Sequence, residues 1–122
     1  MEFIEFFNNP NIDLVQLVGS KDNSQSIGKL FLSFETGEGL LEIKNMPVLE
    51  SDQFYSLWMV DKKESILLSS FKIVPNKKYS KISRIPHTSS KTKALFRITA
   101  ETKVDAKKPS GKTLLFGRIS NP

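Results

Sequence analysis

Apolar and polar residues alternate through most of this chain, in short runs separated by turn-forming residues. One segment departs from that rhythm. In residues 2–8 (EFIEFFN) the phenylalanines Phe3, Phe6 and Phe7 recur at helical spacing, and Asn9-Pro10 ends the pattern. A short strand is expected over 14–18, stopping at Gly19, before the polar loop SKDNSQS. Leu30, Leu32 and Phe34 then alternate with Lys29, Phe31 and Ser33, the signature of a half-buried strand. Residues 35–39 (ETGEG) form a hairpin turn with two glycines able to take positive φ, and the chain returns through 40–44. Pro47 breaks the ladder. The run 53–60 is apolar on both faces, with Tyr55, Leu57 and Met59 on one and Phe54, Trp58 and Val60 on the other, so it belongs inside a sheet. Residues 61–64 (DKKE) turn the chain into 66–74. A weaker run at 79–85 reads as an edge, followed by the loop IPHTSSKT. Ala94, Phe96, Ile98 and Ala100 mark a strand with one buried face, and the last strand, 113–119, follows a lysine-rich loop.

Eight short strands at roughly ten-residue spacing, with turn chemistry between them, predict an all-β protein: an antiparallel β-sandwich with a short N-terminal helix. The 122 residues make one domain by length and are enough for a core without staples. There are no cysteines, which removes disulfides and thiolate metal sites. No run reaches the ~18 apolar residues that cross a bilayer, and the opening MEFIEFFNNP lacks the early cations of a signal peptide. A domain working outside the membrane would therefore take its targeting segment from upstream.

Charge is unevenly spread. Residues 1–50 hold eight acidic and three basic side chains, residues 51–122 five and fifteen. Between Ser65 and Ala100 there is no carboxylate, against Lys72, Lys77, Lys78, Lys81, Arg84, Lys91, Lys93 and Arg97. Such a stretch can meet phosphates, a polyanionic glycan or lipid headgroups. It also suits solvated turns and edges, where lysine discourages strand pairing between molecules. Phe71 and Tyr79 could serve as stacking platforms for single-stranded nucleic acid. Both, however, fall on strand phases that core packing explains, and nucleic acid is not expected as a partner.

Catalytic patterns are scarce. His87 is the single histidine, which does not make a typical zinc or copper site, and no serine lies in a G-x-S-x-G elbow. The turn acids Glu35, Glu38, Asp61 and Glu64 lack the alternating oxygen ligands of a calcium loop. GSKDNSQSIGK lacks P-loop spacing. The expectation is a protein that is not an enzyme, with no catalytic residue, no metal and no cofactor.

Two stretches carry more information. In MPVLESDQFYSLWMV (46–60), Met46-Pro47 stands where a Leu-Pro pair would be, Leu49 is kept, and Tyr55, Leu57 and Trp58 hold the spacing of L-P-x-L-P-x-G-x-x-Y-x-L-W. Glu50 replaces its second proline and Asp52 its glycine. In ITAETKVDAKKPSG (98–111), Ile98, Thr99 and Glu101 match V-T-x-E, Val104 and Asp105 take the place of a double glycine, and Pro109-Ser110-Gly111 closes the stretch. In order and spacing the two resemble the C-terminal extracytoplasmic domain of anti-sigma-K-type anti-sigma factors, over about residues 13–118. The resemblance implies a single β-sandwich over 13–122, preceded by a juxtamembrane or linker segment, 1–12. It implies a place on the periplasmic, extracytoplasmic face of the inner membrane, anchored by a transmembrane helix upstream of this sequence. Its implied partners are a sigma factor held by an upstream cytoplasmic domain, site-specific membrane proteases, and an extracytoplasmic ligand or protein. Release of the sigma factor by regulated proteolysis is the implied function; a stand-alone module binding an anionic polymer through residues 72–97 is the alternative. The residues themselves suggest a structural role for Trp58 and Tyr55 as core anchors. Glu101, at a strand end, is placed to accept backbone N–H bonds from the loop 102–111.

Overall fold

The fold comes from a computed structural model that describes every residue except Met1, Pro75, residues 87–92, Asp105, Asn121 and Pro122, with side chains described from Glu5 onward. His87 and Lys91 thus lie outside the described residues. A short helix, α1 (Glu2–Phe7), precedes eight strands: β1 (Asp13–Gly19), β2 (Ile27–Ser33), β3 (Glu38–Lys44), β4 (Phe54–Asp61), β5 (Glu64–Phe71), β6 (Ser80–Ile82), β7 (Leu95–Glu101) and β8 (Thr113–Arg118). They form one sheet in the order β5-β4-β7-β8-β1-β2-β3-β6, every neighbouring pair antiparallel. The sheet curls until it is nearly closed, with the two-layered character of a sandwich.

The strand positions follow the alternation in the sequence. Inward residues Val15, Leu17, Leu30, Leu32, Leu57, Met59, Phe96, Ile98 and Leu115 are all at or below 1% exposure and pack into one cluster. Fully burying an aliphatic or aromatic side chain of this size contributes ~1.5–3 kcal/mol, so this interior is the main source of stability. Gly37, at φ +75°, takes the left-handed conformation that the β2–β3 turn requires, and its N–H bonds Ser33 O at 2.8 Å.

Two expected strands are shorter than the apolar pattern suggests. The 66–74 run ends at Phe71 because its partner begins at Phe54 and the ladder stops at Tyr55–Phe71. Ile73 and Val74 are left about half exposed. The 79–85 run pairs only over Ser80–Ile82, and Arg84, at φ +61°, has left the extended region. Tyr79 joins an aromatic cluster with Phe7 and Phe31 on the outer surface instead of the interior, at centroid separations of 5.8 and 6.5 Å. Through Phe7, 5.2 Å from Phe31, the helix α1 docks on the outside of β2.

Candidate functional site

Trp58 is fully buried yet lies outside the interior cluster. Its strand phase turns it to the opposite face of β4, where Ser56 and Trp58 stand beside Thr99 and Arg97 of β7. On that face the indole Nε1 donates to Thr99 Oγ1 at 2.9 Å, and the Thr99 hydroxyl donates to Glu101 Oε2 at 2.5 Å. Thr99 and Glu101 share a face because they are two residues apart on one strand.

Glu101 ends β7 with only 1% exposure. The chain leaves it as the 102–111 loop and comes back over it. The Ser110 N–H reaches both carboxylate oxygens at 3.2 Å, the Ser110 hydroxyl reaches Oε1 at 2.6 Å, and the Gly111 N–H reaches Oε2 at 3.1 Å. With the Thr99 hydroxyl, four donor groups converge on one carboxylate. Burial by itself pushes the Glu101 carboxyl up and is the largest single influence. The bonds from Ser110, Thr99 and Gly111 together outweigh it, so the group titrates below the ordinary glutamate value. A carboxylate held ionised, buried and saturated with donors is a poor general base, since a base works best with a pKa near ambient pH. Its chemistry here is that of a latch: it fixes the loop onto the strand.

Gly111 makes that closure possible. A Cβ at this position would stand 1.9 Å from Ala100 O, so only glycine lets the returning loop approach β7 so closely. Pro109, half-buried, directly precedes the two donors.

The other stretch is anchored separately. The Tyr55 hydroxyl donates to Pro47 O at 2.5 Å, tying the 46–53 turn to β4, while Met46 and Leu49 pack against the interior cluster. Burial raises the Tyr55 pKa, so this phenol stays a donor. Tyr55 stacks on Phe71 at 5.7 Å, and Leu57 is fully buried beside it. Outside the turn lies a shallow groove of about 350 Å³ whose rim includes Val48, 99% exposed, and Ile73.

Among the described residues, four of the basic side chains of the acid-free stretch have partners in the protein. The β3–β6 pairing brings the acid-free stretch against the acidic strand β3: Lys78 meets Glu42 at 3.7 Å and Lys81 meets Glu38 at 3.8 Å. Lys72 donates to Ser51 O at 3.3 Å, and Arg97 donates through Nε and Nη2 to Thr113 Oγ1. Lys77, Arg84 and Lys93 are exposed. Among the described residues, no three His, Cys, Asp or Glu side chains converge as a metal site would require.

Of the residues singled out in the sequence, the structure thus brings together Trp58, Thr99, Glu101 and Gly111 in one network, and Pro47, Leu49 and Tyr55 in another. Sequence reading missed the Ser110 hydroxyl as a ligand of Glu101; its place inside the closing Pro-Ser-Gly turn was the available signal. Comparison of the chain with family models, curated proteins and solved structures returns no match.

Proposed function

We propose that this chain is the non-catalytic regulatory domain of an anti-sigma factor, working on the extracytoplasmic face of the inner membrane. In this reading an upstream transmembrane helix joins it to a cytoplasmic domain that holds a sigma factor. Site-specific membrane proteases release that factor in response to a signal carried by an extracytoplasmic ligand or protein. The observation that carries the reading is the meeting of the two motif stretches. Trp58 from the first bonds Thr99 from the second, and Thr99 passes the chain of bonds to Glu101 and the Pro-Ser-Gly turn. Residues matched separately, forty positions apart, thus serve one contact network, as expected if they were kept together for one architecture.

In such a domain the output is access. A latched loop and a docked helix hold segments in or out of a protease's reach, and the free energy of local opening sets the fraction of time they are available. The latch at Glu101 and the α1 contact at Phe31 are the elements on which a signal would act.

The first test is the reading frame upstream of codon 1. The proposal expects it to continue through about 20 apolar residues into a helical cytoplasmic segment. Deleting the coding region for residues 13–122 is then expected to change transcription from promoters of the bound sigma factor. A frame closed directly upstream, or transcription indifferent to the deletion, refutes the proposal.

A further inference from the structure

One row of the sheet leaves apolar side chains in the open. Paired positions across five strands place Arg97, Phe116, Val18, Ile27 and Lys44 side by side on the outer face. Neighbouring strands are ~4.8 Å apart, so the row is about 19 Å long. Its three middle members are 40%, 50% and 50% exposed, although they stand on the central strands β8, β1 and β2, where an outward position is normally polar or covered. The adjoining row carries Gln16, Lys29 and Glu42, with Arg118 on β8 at its side. Lys29, Lys44 and Arg118 are exposed. Glu42, the carboxylate of these two rows, is engaged by Lys78 at 3.7 Å. Helix α1 docks one row further along, at Phe31, and leaves this stripe bare.

We propose that this face rests on an anionic lipid surface, with Phe116, Val18 and Ile27 entering the headgroup boundary and Lys29, Lys44 and Arg118 meeting lipid phosphates. Charge complementarity argues for that occupant: a short apolar stripe with cations at its ends and along one side matches an interface that is anionic outside and apolar a few ångströms within. Size argues against a protein partner. A stable protein interface takes roughly 800 Å² from each side, far more than three half-exposed side chains provide. A lipid surface needs no matching shape and gains from each cation brought near it. The site shares only Arg97 with the acid-free stretch, two of whose lysines on and beside β6 are engaged by Glu38 and Glu42.

The test is flotation of the 122-residue chain with vesicles, and it is read without any sigma factor, so its outcome is separable from the function proposed above. Vesicles of phosphatidylcholine with about one third phosphatidylglycerol are expected to carry the protein at low salt, and pure phosphatidylcholine vesicles are not. Each cation near such a surface is worth about fivefold in binding, so Lys29→Glu with Lys44→Glu is expected to reduce binding by at least 25-fold on that scale. Val18→Ser and Phe116→Ser, at half-exposed positions, are expected to weaken it while the chain stays folded, with only a modest fall in the urea midpoint. Soluble glycerophosphoglycerol is not expected to compete. Three results overturn the proposal: no flotation at low salt, flotation indifferent to Val18→Ser and Phe116→Ser, or flotation lost with Lys77→Glu but retained with Lys29→Glu and Lys44→Glu.

Discussion

Replacing Glu101 by alanine removes the acceptor from four donor groups at once, and their different surroundings set the cost. The Thr99 hydroxyl is fully buried and cannot turn to water, so losing its partner costs ~1–3 kcal/mol. The Gly111 N–H is half-buried and loses about 1 kcal/mol. Ser110 is exposed, and water replaces most of what its N–H and hydroxyl give up. Releasing a buried carboxylate from its desolvation offsets part of the sum. The expected destabilisation of Glu101→Ala is about 2–3 kcal/mol. With a urea dependence of about 1.5 kcal/mol per molar, usual for a domain this size, the unfolding midpoint falls by roughly 1.3–2 M. Trp58, two hydrogen bonds away through Thr99, reports the transition by fluorescence. Glu101→Gln keeps the shape and one acceptor but turns an amide donor toward other donors, so about half the loss is expected. Trypsin supplies an independent reading, because Lys103 and Lys107 sit in the latched loop and cleavage after them should accelerate before global unfolding. A Glu101→Ala midpoint within about 0.3 M of wild type, with unchanged cleavage in the loop, would show that the carboxylate is not a latch.

The same group predicts an acid dependence. Its folded pKa lies below the ordinary value of about 4.3, so its contribution is complete above that value and is lost as pH falls through the depressed folded pKa. Wild-type stability should therefore drop over that acid range more steeply than that of Glu101→Gln; parallel profiles in urea titrations would count against it. Gly111→Ala puts a methyl 1.9 Å from Ala100 O and should cost at least ~3 kcal/mol or displace the loop, checked by the urea midpoint and by proteolysis after Lys107. Trp58→Ala is expected to cost ~3–5 kcal/mol and Trp58→Phe, which mainly deletes the N–H bond to Thr99, ~1–2 kcal/mol. Equal midpoints for the two variants would place the energy in the hydrogen bond and not in the ring.

Much of the strand set is legible in the chain because most strands expose one face and hide the other, and β4, hidden on both, is apolar on both. The phase of Trp58, opposite to Tyr55, Leu57 and Met59, already assigns it to the other face of β4. What the alternation lacks is pairing order. Nothing local says that β8 inserts between β7 and β1, or that β6 lies along β3, since those pairings join positions far apart in sequence. The acid-free stretch looks like an open cationic surface for that reason; Glu38 and Glu42 reach it only through the β3–β6 ladder. Strand ends depart from the apolar pattern where a partner runs out, as at Phe71, or where the backbone leaves the extended region, as at Arg84. The convergence on Glu101 was visible in part: a carboxylate at a strand end before a Pro-Ser-Gly turn invites backbone donors. The hydroxyls of Thr99 and Ser110 carry no pattern that marks them as its ligands.

The place of β8 has a consequence for synthesis. Without residues 113–118, the sheet order separates into β5-β4-β7 on one side and β1-β2-β3-β6 on the other, each with a bare inner edge. A chain emerging N-terminus first can form at most two unfinished half-sheets until those six residues follow, and exposed edges are where strands of different molecules join. The last strand is the keystone of the arch, and a nascent chain stalled before it is the species for which chaperones would compete.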